Sequence, residues 1–133
     1  MVSDDARAEM EEHLGRVPSF IAELSDPAAD NAWALLRDFE LAETDLPARE
    51  KALVGLGAAA AMQCPYCVHF HKAEAKIDGV SEAERKEAID IAAGVRYFST
   101  VLHGAEVEMS EFAAETANIM SHVEGQQAAP SDD

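Results

Sequence analysis

At 133 residues the chain has the length of one domain, enough to bury about two-thirds of its unfolded surface without disulfide or metal staples. Hydrophobic residues make up 48% but aromatics only 6%, so a core must be assembled from Ala, Leu, Val and Ile at helical spacing, which argues for an all-α protein. With 26 acids against 10 bases the net charge is −16, which argues against nucleic acid and anionic membrane as partners.

Such a surface, poor in Lys and Arg, stays hydrated when salt screens its charges, and it suits either a salt-loving host or an ordinary acidic cytosolic protein. The stretch from Met1 to Asp5 has no basic segment leading into an apolar one and does not read as a secretory signal. The longest apolar run, Ala52 to Met62, is shorter than the roughly 20 residues a bilayer requires. The expectation is a soluble, cytoplasmic protein, and there a C-x-x-C is more often catalytic or metal-binding than a permanent disulfide.

In chain order, Asp4 to Leu14 reads as a mostly charged helix stopped by Gly15, and Val17 to Leu24 as a short second helix with Pro18 near its first turn. Both are expected to be peripheral cover. Asp26-Pro27 starts a third helix with Ala32, Leu35, Leu36 and Phe39 as its buried stripe, while Trp33 lies off that stripe and is expected to pack rather than to stack on a ligand. Leu46-Pro47 opens the next, whose interior from Ala52 to Met62 is apolar on every side. Such a helix must be surrounded by protein, so it is the central helix, and it delivers the chain to Cys64. A tight turn at Gln63 leads into a helix from about Pro65 to Asp78, stopped by Gly79. Ser81 to Glu84 is a capping box for a long helix ending at Gly104, with Ala88, Ile91, Val95, Phe98 and Leu102 as its buried stripe. Ser110 caps a last helix through Phe112, Ile119 and Met120. The sum is about six helices and no strand, one domain over residues 1–124, and a disordered acidic tail from Gly125 to Asp133.

Both cysteines and two of the five histidines fall within Cys64-Pro65-Tyr66-Cys67-Val68-His69-Phe70-His71. A thiol attacks only as thiolate, and the N–H groups and dipole at a helix N-terminus lower the pKa of a cysteine placed there. At about 100° per residue, Cys67, His71, Glu74 and Asp78 share one helical face. Tyr66, Phe70, Ala73 and Ile77 form the adjoining apolar stripe, and His69, Lys72 and Lys76 point to water. His71, one turn after Cys67, is in reach of the proton on that sulfur, so the pattern proposes a dithiol redox site with a histidine proton acceptor and no cofactor. Zinc is a competing reading. A short helix cannot wrap an ion with ligands on opposite faces, so a site of Cys64, Cys67 and His71 needs a fourth ligand such as His13, His103, His122 or a carboxylate. A purely structural C-x-x-C is a third reading.

The run Leu53 to Ala61, followed by Cys64-Pro65-Tyr66-Cys67, His71, Gly79, the capping box and the long helix to Gly104, resembles the carboxymuconolactone decarboxylase/alkylhydroperoxidase D (AhpD-like) family over about residues 46 to 104. The resemblance implies an all-α, AhpD-like fold and peroxidase or disulfide-reductase chemistry on a hydroperoxide or disulfide, with an unidentified thiol electron donor. Carried over, Cys67 attacks the peroxide, Cys64 resolves the sulfenic acid to a Cys64–Cys67 disulfide, and His71 relays the proton. Decarboxylases of the family typically lack the cysteine pair, which places this chain on the redox branch, with a lyase or a non-catalytic helical oligomer as alternatives. One departure stands out: family members commonly carry a glutamate twelve residues before the first cysteine, and here that position is Ala52. Glu50 lies about 200° around the helix from it, and Glu74, three residues after His71, is the possible substitute in the proton relay. The loss points to weaker peroxidase activity and toward thiol–disulfide exchange. A chain this short cannot enclose both long apolar helices, so homo-oligomerisation is expected, and the resemblance suggests a trimer or a hexamer.

Overall fold

A computed structural model describes residues 2–128. Among them are seven α-helices and one π-helical turn, with no strand: α1 (Asp4–Leu14), α2 (Ser19–Ala22), α3 (Asp26–Leu35), the π turn (Leu36–Glu40), α4 (Ala48–Met62), α5 (Pro65–Ile77), α6 (Glu82–Gly104) and α7 (Met109–Ala128). The all-α expectation holds. The chain divides into two compact units, with the boundary between Ala92 and Ala93 inside α6.

In the first unit, Ser3 caps α1 by accepting the Ala6 N–H at 3.3 Å, and Gly15 ends it in the left-handed region at φ 76°. These termini are where the sequence placed them, but the role of the helix is larger than peripheral cover. Ala6 and Met10 are buried with Val2, Ile21, Ala29, Trp33 and Leu36 in one apolar cluster. The charged residues of α1 are exposed apart from half-buried Arg7 and Glu9, and full burial of a side chain such as Met10 or Ile21 contributes about 1.5–3 kcal/mol. The stripe expected on α3 is also rotated. Trp33 is buried and donates Nε1–H to Glu9 at 2.8 Å, whereas Leu35 and Phe39 are exposed. The indole buries more area than a leucine and finds an acceptor for its N–H, so it decides which side of the helix faces in. Arg37 holds the same Glu9 carboxylate and lies over the Trp33 ring.

The π turn ends in a stretch gripped by α4. Lys51 Nζ donates to Phe39 O at 2.6 Å, Ala42 O at 2.8 Å and Thr44 Oγ1 at 2.7 Å. A second cluster joins Ala52, Ala75 and Val80, with Leu53 against it, and seals α4 to α5. The capping box forms as its spacing predicts: Glu84 N donates to Ser81 Oγ at 3.1 Å and Ser81 N to Glu84 Oε2 at 2.8 Å. Arg49 of α4 pairs with Glu84 as well.

The central helix is enclosed on one side only. Ala52, Leu56 and Ala59 are buried, but Val54 and Met62 are exposed, the latter at 77%. On α5 Tyr66, Phe70, Ala73 and Ile77 are exposed and the buried residue is Ala75. On α6 the expected stripe is likewise open: Ile91, Val95 and Phe98 are exposed, Ala88 and Leu102 half-buried, and only Ala92 buried. Periodicity identified these faces as apolar, but most of their large residues are exposed among the described residues.

In the second unit, α7 starts at Met109, one residue before the expected cap at Ser110, and none of its residues is buried. Residues 125 to 128, expected to begin the disordered tail, are helical. Gln126, Gln127 and Ala128 are good helix formers, and the preceding turns carry the helix through Gly125. Residues 129–133 of that tail lie outside the described residues.

Candidate active site

The site is made by the turn from α4 to α5. Gln63 takes the left-handed conformation, φ 58° and ψ 41°, and its N–H returns to Ala59 O and Ala60 O, while Cys64 N also bonds Ala59 O at 3.1 Å. Pro65 then occupies the first helical position, where its missing N–H is harmless, and Cys64 becomes the N-cap of α5. An N-cap side chain normally presents oxygen to the free N–H groups of the first turn; here it is sulfur, and Cys64 Sγ accepts the Cys67 N–H at 3.2 Å.

Both cysteines are free thiols, and a hydrogen bond of 2.7 Å joins their sulfurs. The side-chain hydrogen bond with Cys67, helped by the Cys67 and Tyr66 N–H groups, holds the Cys64 pKa below the ordinary thiol value. The same sulfur–sulfur contact raises Cys67, because a thiolate there would face the charge on Cys64, and desolvation adds to the rise. Of the two sulfurs Cys64 is therefore the more readily ionised. Cys64 is half-buried and Cys67 exposed.

One helical turn beyond Cys67, His71 Nδ1 lies 3.1 Å from Glu74 Oε1, with the two side chains only 23% and 14% exposed. The Phe70 ring stands edge-on to the imidazole with centroids 5.5 Å apart, and Phe20 of α2 stands edge-on to Phe70 at 5.9 Å. A cavity of about 470 Å³ opens beside the pair, walled by Phe39, Leu46, Lys51 and Val54 with His71 and Glu74 at one side. The structure thus brings Glu74 to His71. Glu50 is exposed and is no part of this cavity, and His69 is exposed as its helical position predicted. Ala52, at the position of the absent glutamate, is 0% exposed.

Sequence reasoning missed the contributions of the π turn and of Lys51 to the cavity. No local signal marks them, since they meet the site only through the packing of α4. The zinc set does not assemble: among the described residues no three His, Cys, Asp or Glu side chains converge to hold a metal ion. No helix among those residues is long and apolar enough to cross a membrane.

Fold and site together define a class: small all-α proteins that present a C-x-x-C at the start of a helix, with a histidine one turn beyond it. The sequence profile of the carboxymuconolactone decarboxylase family matches residues 27–107, and the chain belongs to that family. "Uncharacterized protein 4 in cox locus" of Paracoccus denitrificans is 31% identical over 74 residues, which are 56% of this chain and 67% of that protein. The crystal structure of the alkylhydroperoxidase AhpD core from Rhodospirillum rubrum matches at 20% identity with a TM-score of 0.71, covering 83% of this chain and 84% of that one. The fold is AhpD-like.

Proposed function

We propose that the protein is a thiol oxidoreductase that reduces hydroperoxides or disulfides with Cys64 and Cys67 and regains its dithiol from an external thiol donor. The observation that carries this reading is the pair of free sulfurs 2.7 Å apart, with the first of them capping a helix and accepting a backbone N–H. In the disulfide reaction the Cys64 thiolate attacks one sulfur of the substrate, a Cys64–substrate bond forms, and the first substrate thiolate departs. Cys67 then gives its proton to His71 and attacks the Cys64 sulfur. The Cys64–Cys67 disulfide forms and the second substrate thiolate leaves. With a hydroperoxide, Cys64 takes the terminal oxygen to become a sulfenic acid, the alcohol leaves, and attack by Cys67 expels that oxygen as water.

This order reverses the roles implied by the family resemblance, in which Cys67 attacks first. The hydrogen bonds around Cys64 support the reversal, and the position of His71 one helical turn after Cys67 supports its role in the second step. Glu74 takes the orienting role of the glutamate that Ala52 replaces: Nδ1–H donates to it and Nε2 is left as the base. We further propose that the protein acts as a homo-oligomer in the cytoplasm, since Val54, Met62, Tyr66, Ile77 and Ile91 form more exposed apolar surface than a stable monomer carries. The test of the activity is to mix the reduced protein with stoichiometric tert-butyl hydroperoxide or 2-hydroxyethyl disulfide. The expected product has lost two hydrogens by intact mass, and its peptide map joins Cys64 to Cys67. Two thiols that remain alkylatable with both reagents would remove the proposal.

A further inference from the structure

On the side of α4 that meets α5, the side chains are small. Ala52 and Ala59 are buried there, and between them lies Gly55. Glycine in a helix interior costs stability relative to alanine, and Gly55 is not among the residues of positive φ, so its backbone makes no demand for glycine. The demand comes from across the helix pair. A Cβ at residue 55 would stand 2.6 Å from both Cε1 and Nδ1 of His71 and 3.0 Å from Nε2. A methyl group cannot share that space with the ring. What would yield is the imidazole, which would swing away from Glu74 Oε1, now 3.1 Å from Nδ1, and from its edge-on contact with Phe70.

Gly57 supplies an internal comparison. It lies two residues along the same helix, turned about 200° away, and a Cβ there would meet Ala88 O at 3.6 Å and Ala92 Cβ at 3.9 Å, which is ordinary contact. Of two glycines in one helix, only the one under the histidine is required by its surroundings.

We propose that Gly55 is a positioning residue of the site, whose bare Cα seats the His71 ring against α4 in the orientation that pairs Nδ1 with Glu74 and leaves Nε2 free for the Cys67 proton. The purpose of that orientation rests on the thiol oxidoreductase reading, whereas the seat itself is a matter of packing and can be tested without turnover. The close approach of α4 and α5 also accounts for the source of the carboxylate. With Ala52 and Gly55 lining the seam, α4 has no room for an acidic side chain beside the ring, and α5 provides its own in Glu74, three residues beyond the histidine.

The experiment compares Gly55→Ala with Gly57→Ala. It reads the rate of Cys64–Cys67 disulfide formation with 2-hydroxyethyl disulfide, and the His71 tautomer by imidazole nitrogen NMR. Gly55→Ala is expected to fold, to slow disulfide formation on the order of 10²-fold, the cost of a displacement of about 1 Å at a reacting group, and to lose the Nδ1–H tautomer signature. Gly57→Ala should keep both at wild-type values. If Gly55→Ala fails to fold, the His71→Ala/Gly55→Ala double variant should fold again, because the obstructing ring is gone. A wild-type rate and tautomer in Gly55→Ala, or a double variant no more stable than an unfolded single one, would overturn the assignment. A wild-type protein that forms no disulfide would overturn the proposed activity instead, and the tautomer comparison would still decide the seat.

Discussion

Putting the absent glutamate back, as Ala52→Glu, tests whether the seam between α4 and α5 dictates where the site's carboxylate sits. Ala52 is 0% exposed and packs with Ala75, Val80 and Leu53. The new side chain adds a methylene and a carboxylate to a filled space, and overpacking of this kind costs about 1–3 kcal/mol. The carboxyl group adds about 1–3 kcal/mol if no hydrogen bond meets it, and more once it is ionised. The sum is roughly 2–6 kcal/mol before the charge is counted, which for a chain of this length lowers Tm on the order of 10–20 °C. The two parts separate with Ala52→Met, which has nearly the same length without the charge and should show only the overpacking. They separate by pH as well. Burial raises the carboxyl pKa in the folded state above its unfolded value of about 4.3, so the charge penalty is absent below that value and grows as pH rises through it. Thermal unfolding followed by circular dichroism at pH 4 and pH 7 should therefore find Ala52→Glu least stable at pH 7 and closer to Ala52→Met at pH 4. A variant as stable as wild type at pH 7 would mean that the seam has room for an acid, and the physical reason given for Glu74 would fail.

In the Cys67→Ala variant, the pH midpoint of Cys64 alkylation should rise, since the Cys67 side chain is the leading cause of the low Cys64 pKa; in Cys64→Ala the midpoint for Cys67 should fall. Iodoacetamide rates across pH measure both, and midpoints indifferent to the partner sulfur would contradict the assignment of the thiolate. His71→Gln should leave the first attack intact and slow resolution by about 10²–10⁴-fold, so that a mixed disulfide at Cys64 accumulates in quenched samples, while exposed His69→Gln turns over at the wild-type rate. Equal losses in the two variants would refute the separation of the histidines. Light scattering should find a multiple of the 14.3 kDa chain, with association strengthened as salt screens the net charge of −16; a monomer mass at every salt level would show that the exposed apolar faces need no cover.

The termini of the helices were legible because they are decided locally. Ser81 and Glu84 bond each other's N–H groups across one turn, Gly15 and Gly79 adopt the left-handed conformation that stops a helix, and Pro65 has no N–H to lose. The pairing of His71 with Glu74 was legible for the same reason, being a three-residue relation on one helix. The faces were not. Periodicity reports that a stripe is apolar, but which of two stripes is buried depends on what the rest of the chain offers. Trp33 displaced Leu35 and Phe39 because Glu9, on a helix read as mere cover, supplied an acceptor for its indole. On α5 and α6 most large residues of the apolar stripes are exposed, and burial went to small residues, Ala75 and Ala92. Gly55 was silent in the sequence because its meaning lies in the ring it accommodates sixteen positions later.

The two sulfurs make opposite demands on their surroundings, and this accounts for where the histidine stands. One contact lowers Cys64 and raises Cys67, so the pair is built to ionise in sequence. Cys64 needs no base, since a helix N-terminus and the neighbouring thiol stabilise its charge. Cys67 is the sulfur whose proton is hard to remove, and removal becomes necessary only after Cys64 has been modified and no longer carries the charge that opposed it. In the proposed reaction a base on the Cys67 face, one turn along and paired with Glu74, serves that step. Had the histidine stood one turn from Cys64 instead, it would have assisted a thiol already inclined to ionise and left the second without help. On the proposed order of attack, the C-x-x-C-x-x-x-H spacing gives the backbone to the first sulfur and the imidazole to the second.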